Sequence, residues 1–413
     1  MSRLKKLVPK SLTSAYHFLL AYFSALMYGF PSRRLLVVAV TGTKGKTSVS
    51  EMVNAIFEEA GYKTALLNSI RFKIGDTSER NLLRMSMPGR FFIQRFLRRA
   101  VRARCTAAIL EMTSEGARQH RHRGIALDAL ICTNLAPEHI ESHGSYEKYA
   151  DAKFEIGCSL ARSPKRPRTI ITNADDAQSA RYRALPVEKK IGFSLKEHEH
   201  SADERGGHFT FENESISIHL PGDFSLTNAL AAAALGHALD IPISTIKRAL
   251  EKIRSIPGRA ERIEEGQDFA VVVDYAHTPD SLQALYDAYA NVRKICILGG
   301  TGGGRDTWKR PVMGKIADQD CAEVILTNED PYDEDPHAIV EAMKRDMQRE
   351  PTIIMDRREA IREGLRRAQA GDAVLITGKG TDPCICIEDG KKIPWSDAEV
   401  VREELHRLKE TVL

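Results

Sequence analysis

Six apolar residues, Leu35-Leu36-Val37-Val38-Ala39-Val40, run directly into Thr41-Gly42-Thr43-Lys44-Gly45-Lys46-Thr47-Ser48, and then into a stretch with helical periodicity from Val49 to Ala60. An unbroken apolar run of this length, closed by glycines, marks a strand covered on both faces, the kind found in parallel sheets with helical crossovers. The order strand, glycine-rich turn, helix therefore fixes the class as α/β. Further strand candidates at Ala107–Leu110, Ala129–Thr133 and Thr169–Thr172 alternate with helical stretches. A second series starts near Phe269 and includes Val271–Val273, Ile295–Leu298, Val324–Leu326, Thr352–Ile354 and Ala373–Ile376. The expected architecture is a central P-loop α/β domain with a mainly parallel sheet over residues 35–256, then a Rossmann-like α/β domain over 257–413. The boundary falls at Ile256-Pro257-Gly258, a turn after the helical stretch Ser244–Ile253.

The turn itself carries chemistry. Glycines let backbone N–H groups approach phosphate oxygens, and the helix that follows presents its positive end. Gly42, Thr43, Lys44, Gly45, Lys46, Thr47 and Ser48 thus form a phosphate cradle, with Lys46 neutralising charge and the Thr47 hydroxyl able to ligate magnesium. The spacing is G-x-x-G-K-T, shorter than the eight-residue Walker pattern, which would need a glycine at Val40.

Composition sets limits on partners. With 60 Lys and Arg against 56 Asp and Glu the net charge is +4, too balanced for a dedicated nucleic-acid binder. The seven cysteines are scattered without a CxxC pair, which reads as a reduced cytoplasmic chain and not as a disulfide scaffold. Residues 1–34 are basic and aromatic; Leu12, Tyr16, Leu19, Phe23, Leu26 and Phe30 share helical spacing. The segment makes a poor membrane span, near the lower length limit for crossing and interrupted by Ser14, His17, Ser24 and three tyrosines. The first expectation is a helix that packs this apolar face on its own protein; the second is peripheral contact with a membrane or a partner.

The cradle in this shortened form resembles that of the Mur ligase family and its folylpolyglutamate synthetase relatives, and further motifs follow in order over most of the chain. Glu111-Met112-Thr113-Ser114-Glu115-Gly116, Thr133-Asn134-Leu135-Ala136-Pro137-Glu138-His139 and Tyr149-Ala150-Asp151-Ala152-Lys153 are similar to three family segments. Asp274-Tyr275-Ala276-His277-Thr278-Pro279-Asp280, Arg305-Asp306 with Lys309-Arg310-Pro311, and Gly378-Lys379-Gly380 resemble the tripeptide-synthetase branch.

The resemblance implies an ATP- and magnesium-dependent ligase that makes amides through an acyl phosphate. Lys46, Lys153, His277, Arg305 and Lys309 would be catalytic. Thr47, Glu111 and His139 would hold magnesium; Asn134, Asp274 and Tyr275 would join the cradle in binding nucleotide. Lys153 matches the lysine that family members carry as a carbamate. Ser86 lies in a segment similar to the one touching a nucleotide-sugar acceptor, and Gln119 and Arg121 fit the family's substrate-facing pair.

Departures from the pattern matter as much. The branch normally begins with a uridine-nucleotide domain, whereas only residues 1–34 precede the first strand here. Glu329-Asp330-Pro331-Tyr332 replaces the Asp-Asn-Pro-Arg of diaminopimelate selection, and tyrosine cannot reproduce a bidentate arginine clamp. Gly378-Lys379-Gly380-Thr381-Asp382 ends on a shorter acid than the family's glutamate. The acceptor is expected to be of muramyl-peptide type. The added amino acid stays open, with the acids Glu329, Asp330, Asp333 and Asp382 favouring a diamino acid. A polyglutamate-type acceptor and a nucleotide-dependent scaffold at the membrane are the alternatives.

Overall fold

The structure, a computed structural model, describes residues 10–138 and 140–412. The chain opens with α1 (Lys10–Met27), β1 (Leu36–Thr41), α2 (Lys46–Glu59), β2 (Thr64–Leu67), β3 (Arg71–Ile74), β4 (Thr77–Arg80), α3 (Arg90–Arg102), β5 (Ala107–Glu111) and α4 (Ser114–Arg118). It continues through β6 (Ala129–Cys132), α5 (Ile140–His143), α6 (Tyr146–Ala161), β7 (Thr169–Asn173), α7 (Ser179–Arg183) and β8 (Lys189–Phe193). Next come β9 (His200–Ala202), β10 (Gly207–Phe211), β11 (Glu214–Ile218), α8 (Gly222–Ala238) and α9 (Ile243–Glu251). The last part holds β12 (Glu261–Arg262), β13 (Ala270–Val273), α10 (Pro279–Ala288), β14 (Lys294–Leu298), α11 (Lys309–Asp320), β15 (Glu323–Leu326) and α12 (Pro336–Lys344). It ends with β16 (Thr352–Ile353), α13 (Arg357–Arg367), β17 (Ala373–Ile376), β18 (Cys384–Cys386), β19 (Lys392–Pro394) and α14 (Asp397–Val412).

Two compact units result. One takes the chain through His200 together with Phe209–Ser217 and Thr227–Ile253; the other takes Ser201–His208, Ile218–Leu226 and everything from Arg254 on. The first unit contains an eight-stranded sheet in the order β4-β3-β2-β5-β1-β6-β7-β8, parallel from β2 to β8 with an antiparallel edge at β3 and β4. β1 lies between β5 and β6, so successive crossovers leave it on opposite sides. Ligands of open parallel sheets bind beyond the carboxyl ends of strands at such a switch point. The register pairs Val40 with Glu111 and Thr41 with Cys132, which brings the ends of three strands beside the Gly42 turn.

The six-stranded sheet of the second unit runs β12-β13-β17-β14-β15-β16, with β12 antiparallel and the rest parallel. Side chains alternate strictly, as a strand's period of two requires. Val272, Cys296, Leu298, Leu326 and Leu375 enter one core, while Val271, Val273, Ile295, Ile297, Ile325, Val374 and Ile376 enter the other. A buried bidentate pair, Arg357 to Asp397 at 2.7 and 2.8 Å, joins α13 to α14.

Two sequence expectations need correction. α1 is a helix, but its packing is inverted. Tyr16, Leu19, Phe23 and Leu26, the face expected to be covered, are 56–66% exposed, and Ala21, Ser24 and Ala25 are buried instead. The side chain of Leu12 lies outside the described residues. The reason is the closeness of the contact: a Cβ added at Gly124 would sit 2.7 Å from the Ala25 Cβ, so only small residues fit on that side. The cysteines are likewise not all reduced, because Cys296 on β14 and Cys321 after α11 form a disulfide. Sheet packing stacks the two segments, a relation that sequence spacing hides.

Candidate active site

The cradle is shaped from inside by the loop after β6. Asn134 accepts the Lys44 amide on its side-chain oxygen at 2.9 Å, and its backbone carbonyl accepts the Thr43 amide at 2.8 Å. Thr133 Oγ1 donates to the Lys44 carbonyl at 2.6 Å. Thr43 Oγ1 meets Tyr149 Oη at 2.9 Å and accepts the Ala136 amide, while Lys44 pairs with Glu138 at 3.1 Å. The side chains of Thr43 and Asn134 thus hold the cradle's form from behind. Gly42 and Gly45 have φ of +146° and +78°, the left-handed region. A Cβ on Gly42 would stand 1.9 Å from Thr133 Oγ1, and one on Gly45 2.2 Å from Asn228 Oδ1. Lys46 opens α2 and folds back to donate to the Thr43 carbonyl at 2.8 Å; Thr47 and Ser48 are buried in the same first turn.

Lys153 reaches the cradle from α6. Its Nζ donates to the Gly42 carbonyl at 2.6 Å and lies 4.9 Å from the centre of the Tyr149 ring. Burial, and then the nearby Lys46 charge, hold its pKa well below the ordinary lysine value, so the amine is far easier to deprotonate than a surface one.

Beside it the Glu111 carboxylate at the end of β5 is buried. Its Oε2 accepts from Thr47 Oγ1 at 2.9 Å and from the Ser69 amide at 3.1 Å, and Thr47 Oγ1 meets Ser69 Oγ at 2.8 Å. No lysine or arginine pairs with Glu111 among the described residues. A buried carboxylate met only by hydroxyl and amide groups, beside a threonine hydroxyl, fits a hard divalent cation completed by phosphate and water oxygens. His139, the third expected ligand, lies outside the described residues. Ser69 was not anticipated; only its place just after β2, a neighbour of β5, could have signalled it.

A second cluster lies on the same unit. Arg121 donates to the carbonyl of Met87, next to Ser86, and to Gln119 Oε1 at 2.8 Å. Arg90, missed in the sequence, donates to the Gln119 carbonyl at 3.1 Å and meets His17 Nδ1 at 2.7 Å. Among the described residues neither guanidinium has a carboxylate partner, and the Arg90 Nε is buried without a hydrogen bond. Burial lowers both pKa values, with mutual repulsion adding to the effect on Arg121. An anion would relieve this arrangement.

In the second unit Asp274, at the end of β13, accepts the amides of Ala260 and Ala276, each at 2.6 Å. His277 Nδ1 donates to the Tyr275 carbonyl at 2.7 Å, and Arg259 covers the Tyr275 ring at 4.6 Å. Arg305 is exposed and stacks on Tyr332 at 4.8 Å, whereas Lys309 is buried in the first turn of α11. The four acids of the cluster stand in different surroundings. Asp330 pairs with buried Lys379 at 2.8 Å and accepts the Cys386 amide; Asp382 lies 3.5 Å from Lys379; Asp333 accepts the Asp389 amide. Glu329 differs: Oε1 accepts from Thr301 at 2.7 Å, but Oε2 is buried without a partner among the described residues, and burial raises its pKa. A Cβ on Gly378 would fall 2.2 Å from that Oε2, so the glycine leaves the carboxylate room.

A parallel sheet with a glycine-rich turn after its first strand, a buried acid and hydroxyl beside it, and a second α/β unit define a protein of the nucleotide-binding α/β class. Residues 40–236 match the Mur ligase middle domain and 258–380 the Mur ligase glutamate ligase domain. A UDP-N-acetylmuramoyl-L-alanyl-D-glutamate–2,6-diaminopimelate ligase of Syntrophomonas wolfei is 33% identical over 403 residues, covering 94% of this chain and 81% of that one. A UDP-N-acetylmuramyl-tripeptide synthetase of Roseiflexus is 34% identical, covering 94% and 82%. The solved structure of a diaminopimelate ligase of the same name superposes with a TM-score of 0.62 at 26% identity, covering 91% and 79%. Mycobacterium tuberculosis folylpolyglutamate synthase, at a TM-score of 0.70 and 17% identity, shows the shared fold. The chain belongs to the Mur ligase family and is an ATP- and magnesium-dependent acid–amino acid ligase.

Proposed function

We propose that this ligase adds a diamino acid to a UDP-muramyl-peptide-type acceptor in peptidoglycan precursor synthesis. The acceptor carboxylate attacks the γ-phosphorus of ATP, the bond to the leaving ADP oxygen breaks, and an acyl phosphate forms. The amine then attacks the acyl carbon, inorganic phosphate departs with the bonding electrons, and the amine sheds a proton. Lys46 and the amides of the Gly42–Ser48 turn take the growing charge on phosphate. Magnesium, when bound, would be held by Thr47, Glu111 and His139 and would neutralise charge on the phosphate oxygens. The lowered basicity of Lys153 suits a carbamate, since carbon dioxide adds only to a neutral amine and releases a proton.

Arg121, Gln119 and the Ser86 segment, with Arg90 behind them, suit the anionic acceptor. Glu329 suits the distal ammonium of the incoming amino acid, and Arg305, stacked on Tyr332, brings to that loop the guanidinium that Tyr332 lacks. Asp274, Tyr275 and His277 serve the nucleotide, with Lys309 behind Arg305. The observation that carries the reading is the presence, on one unit, of a glycine-rich turn touched by Lys153 and of two guanidiniums without acidic partners among the described residues. The test is mass spectrometry of products from ATP, magnesium, a UDP-muramyl dipeptide and a panel of diaminopimelate, lysine and ornithine. An amide product with matched phosphate release is expected. Products only from polyglutamate acceptors, or none from any acceptor, would overturn it.

A further inference from the structure

α1 uses its residues in the reverse of the usual order. A helix on a globular protein covers its large apolar side chains and leaves small or polar ones outside. Here Ala21, Ser24 and Ala25 face the protein, and Tyr16, Leu19, Tyr22, Phe23, Leu26 and Met27 face out. The helix is nevertheless fixed in place. Ser14 Oγ meets His120 Nε2 at 2.8 Å, His17 meets Arg90 at 2.7 Å, and the Phe23 ring stands 6.3 Å from that of Phe91 on α3. A contiguous apolar face this large on an anchored helix marks an interaction surface.

Charge says what covers it. Residues 1–34 contain Arg3, Lys5, Lys6, Lys10, Arg33 and Arg34 and no Asp or Glu, more positive than the whole chain at +4. α3, packed beside α1, adds Arg90, Arg95, Arg98, Arg99 and Arg102, again with no acid. The flank of α3 away from Phe91 continues the pattern in a cavity of about 310 Å³ floored by Phe72, Phe92 and Phe96 and rimmed by Arg80, Arg95 and Arg99, against one carboxylate, Glu79. Apolar and aromatic residues set among lysine and arginine are the chemistry of a bilayer surface with anionic headgroups, where tyrosine rings sit with one end wet. No described helix is long and apolar enough to span a membrane, so the reading is of surface contact.

We infer that the outer face of α1 and the arginine ridge of α3 dock this ligase on an anionic membrane surface, α1 lying in the plane of the headgroups. The Arg90 guanidinium bridges His17 of α1 and the Gln119 carbonyl, so docking brings the Gln119–Arg121 cluster next to the lipid. This inference goes beyond the ligase reading and stands without it. The test is flotation of the full chain with vesicles of phosphatidylcholine alone and of phosphatidylcholine with about one-third phosphatidylglycerol. Binding is expected only to the second, weakening with salt. The double variant Leu19→Glu/Phe23→Glu should abolish it while ADP binding and the melting temperature stay unchanged. Arg33→Ser and Arg34→Ser should each weaken it by about fivefold. Equal binding to both vesicles, or none, overturns the inference, as does undiminished binding by the double variant. A dimer in solution that the same double variant dissolves, without vesicle binding, assigns the face to a second copy and also overturns it.

Discussion

The Nζ of Lys153 lies 2.6 Å from the carbonyl oxygen of Gly42, so an amine from α6 is held against the first glycine of the phosphate turn. Burial and Lys46 favour its neutral form. Lys153→Ala should cut amide formation by at least about 100-fold while leaving ADP affinity within a few-fold, because the cradle amides remain. Lys153→Arg should fare no better, since a guanidinium stays cationic at any working pH and cannot form a carbamate. Carbon-13 NMR with labelled bicarbonate should show a carbamate in the wild type and none in either variant. As pH falls through the lowered pKa the amine protonates, carbon dioxide is lost, and activity should fall with the signal. A wild-type enzyme fully active without any carbamate resonance would refute this role.

Gly45→Ala tests the cradle by geometry alone. At φ +78° an L-residue costs about 1–2 kcal/mol, and the new methyl would also meet Asn228 Oδ1 at 2.2 Å. Nucleotide affinity should drop about tenfold or more, read by calorimetry with ADP. Adding Asn228→Ala removes the collision but not the backbone strain, so part of the loss should return. Full affinity in Gly45→Ala would show that nucleotide does not use this turn.

The parallel strands and the cradle are legible in the sequence because both depend on local pattern: an apolar run, then glycines, then a helical period. The strands around Ala107, Ala129, Ile295 and Ala373 appear within about a residue or two of where their apolar runs place them. What depends on distant pairing is not legible. Ser69 becomes a partner of Glu111 only through the β2–β5 pairing, and Arg90 reaches Gln119 only through folding of α3 beside α4. The disulfide follows from the pairing of β14 with β15, which sets Cys296 opposite Val324, three residues from Cys321. The partners of the acidic loop are hidden for the same reason: Lys379 and backbone amides meet Asp330, Asp333 and Asp382, and no spacing in the string shows it. For α1, periodicity located the apolar face but could not say which side would be covered.

His122 should make the first unit sensitive to acid. It is buried with no hydrogen bond to either ring nitrogen among the described residues, and burial, aided by Arg123, lowers its pKa to about 3. Unfolding restores a value near 6.5, so below that pH the unfolded chain binds the proton more readily. The stability present above pH 6.5 is therefore lost progressively as pH falls from 6.5 towards 3. At pH 5 the loss from this group is about 2 kcal/mol. His122→Met keeps the volume and removes the titration, so its melting temperature should fall less between pH 7.5 and 5 than that of the wild type. Parallel decreases in the two proteins would refute the assignment.

Glu329 offers the sharpest test of the proposed amino-acid pocket. Its Oε1 is held by Thr301, its Oε2 is buried without a partner, and Gly378 keeps the space beside it open. A buried acceptor left unpaired costs stability, which a ligand ammonium can recover through a charge-assisted bond. Glu329→Gln has the same shape and can still accept from Thr301, but it loses the charge. A charged hydrogen bond contributes about 1.5–3 kcal/mol, so KM for the preferred diamino acid should rise about 10- to 150-fold with kcat little changed. For an amino acid without a distal amine, KM should stay as in the wild type, since nothing meets Oε2. An equal rise for both would mean that Glu329 supports the loop and does not read the substrate.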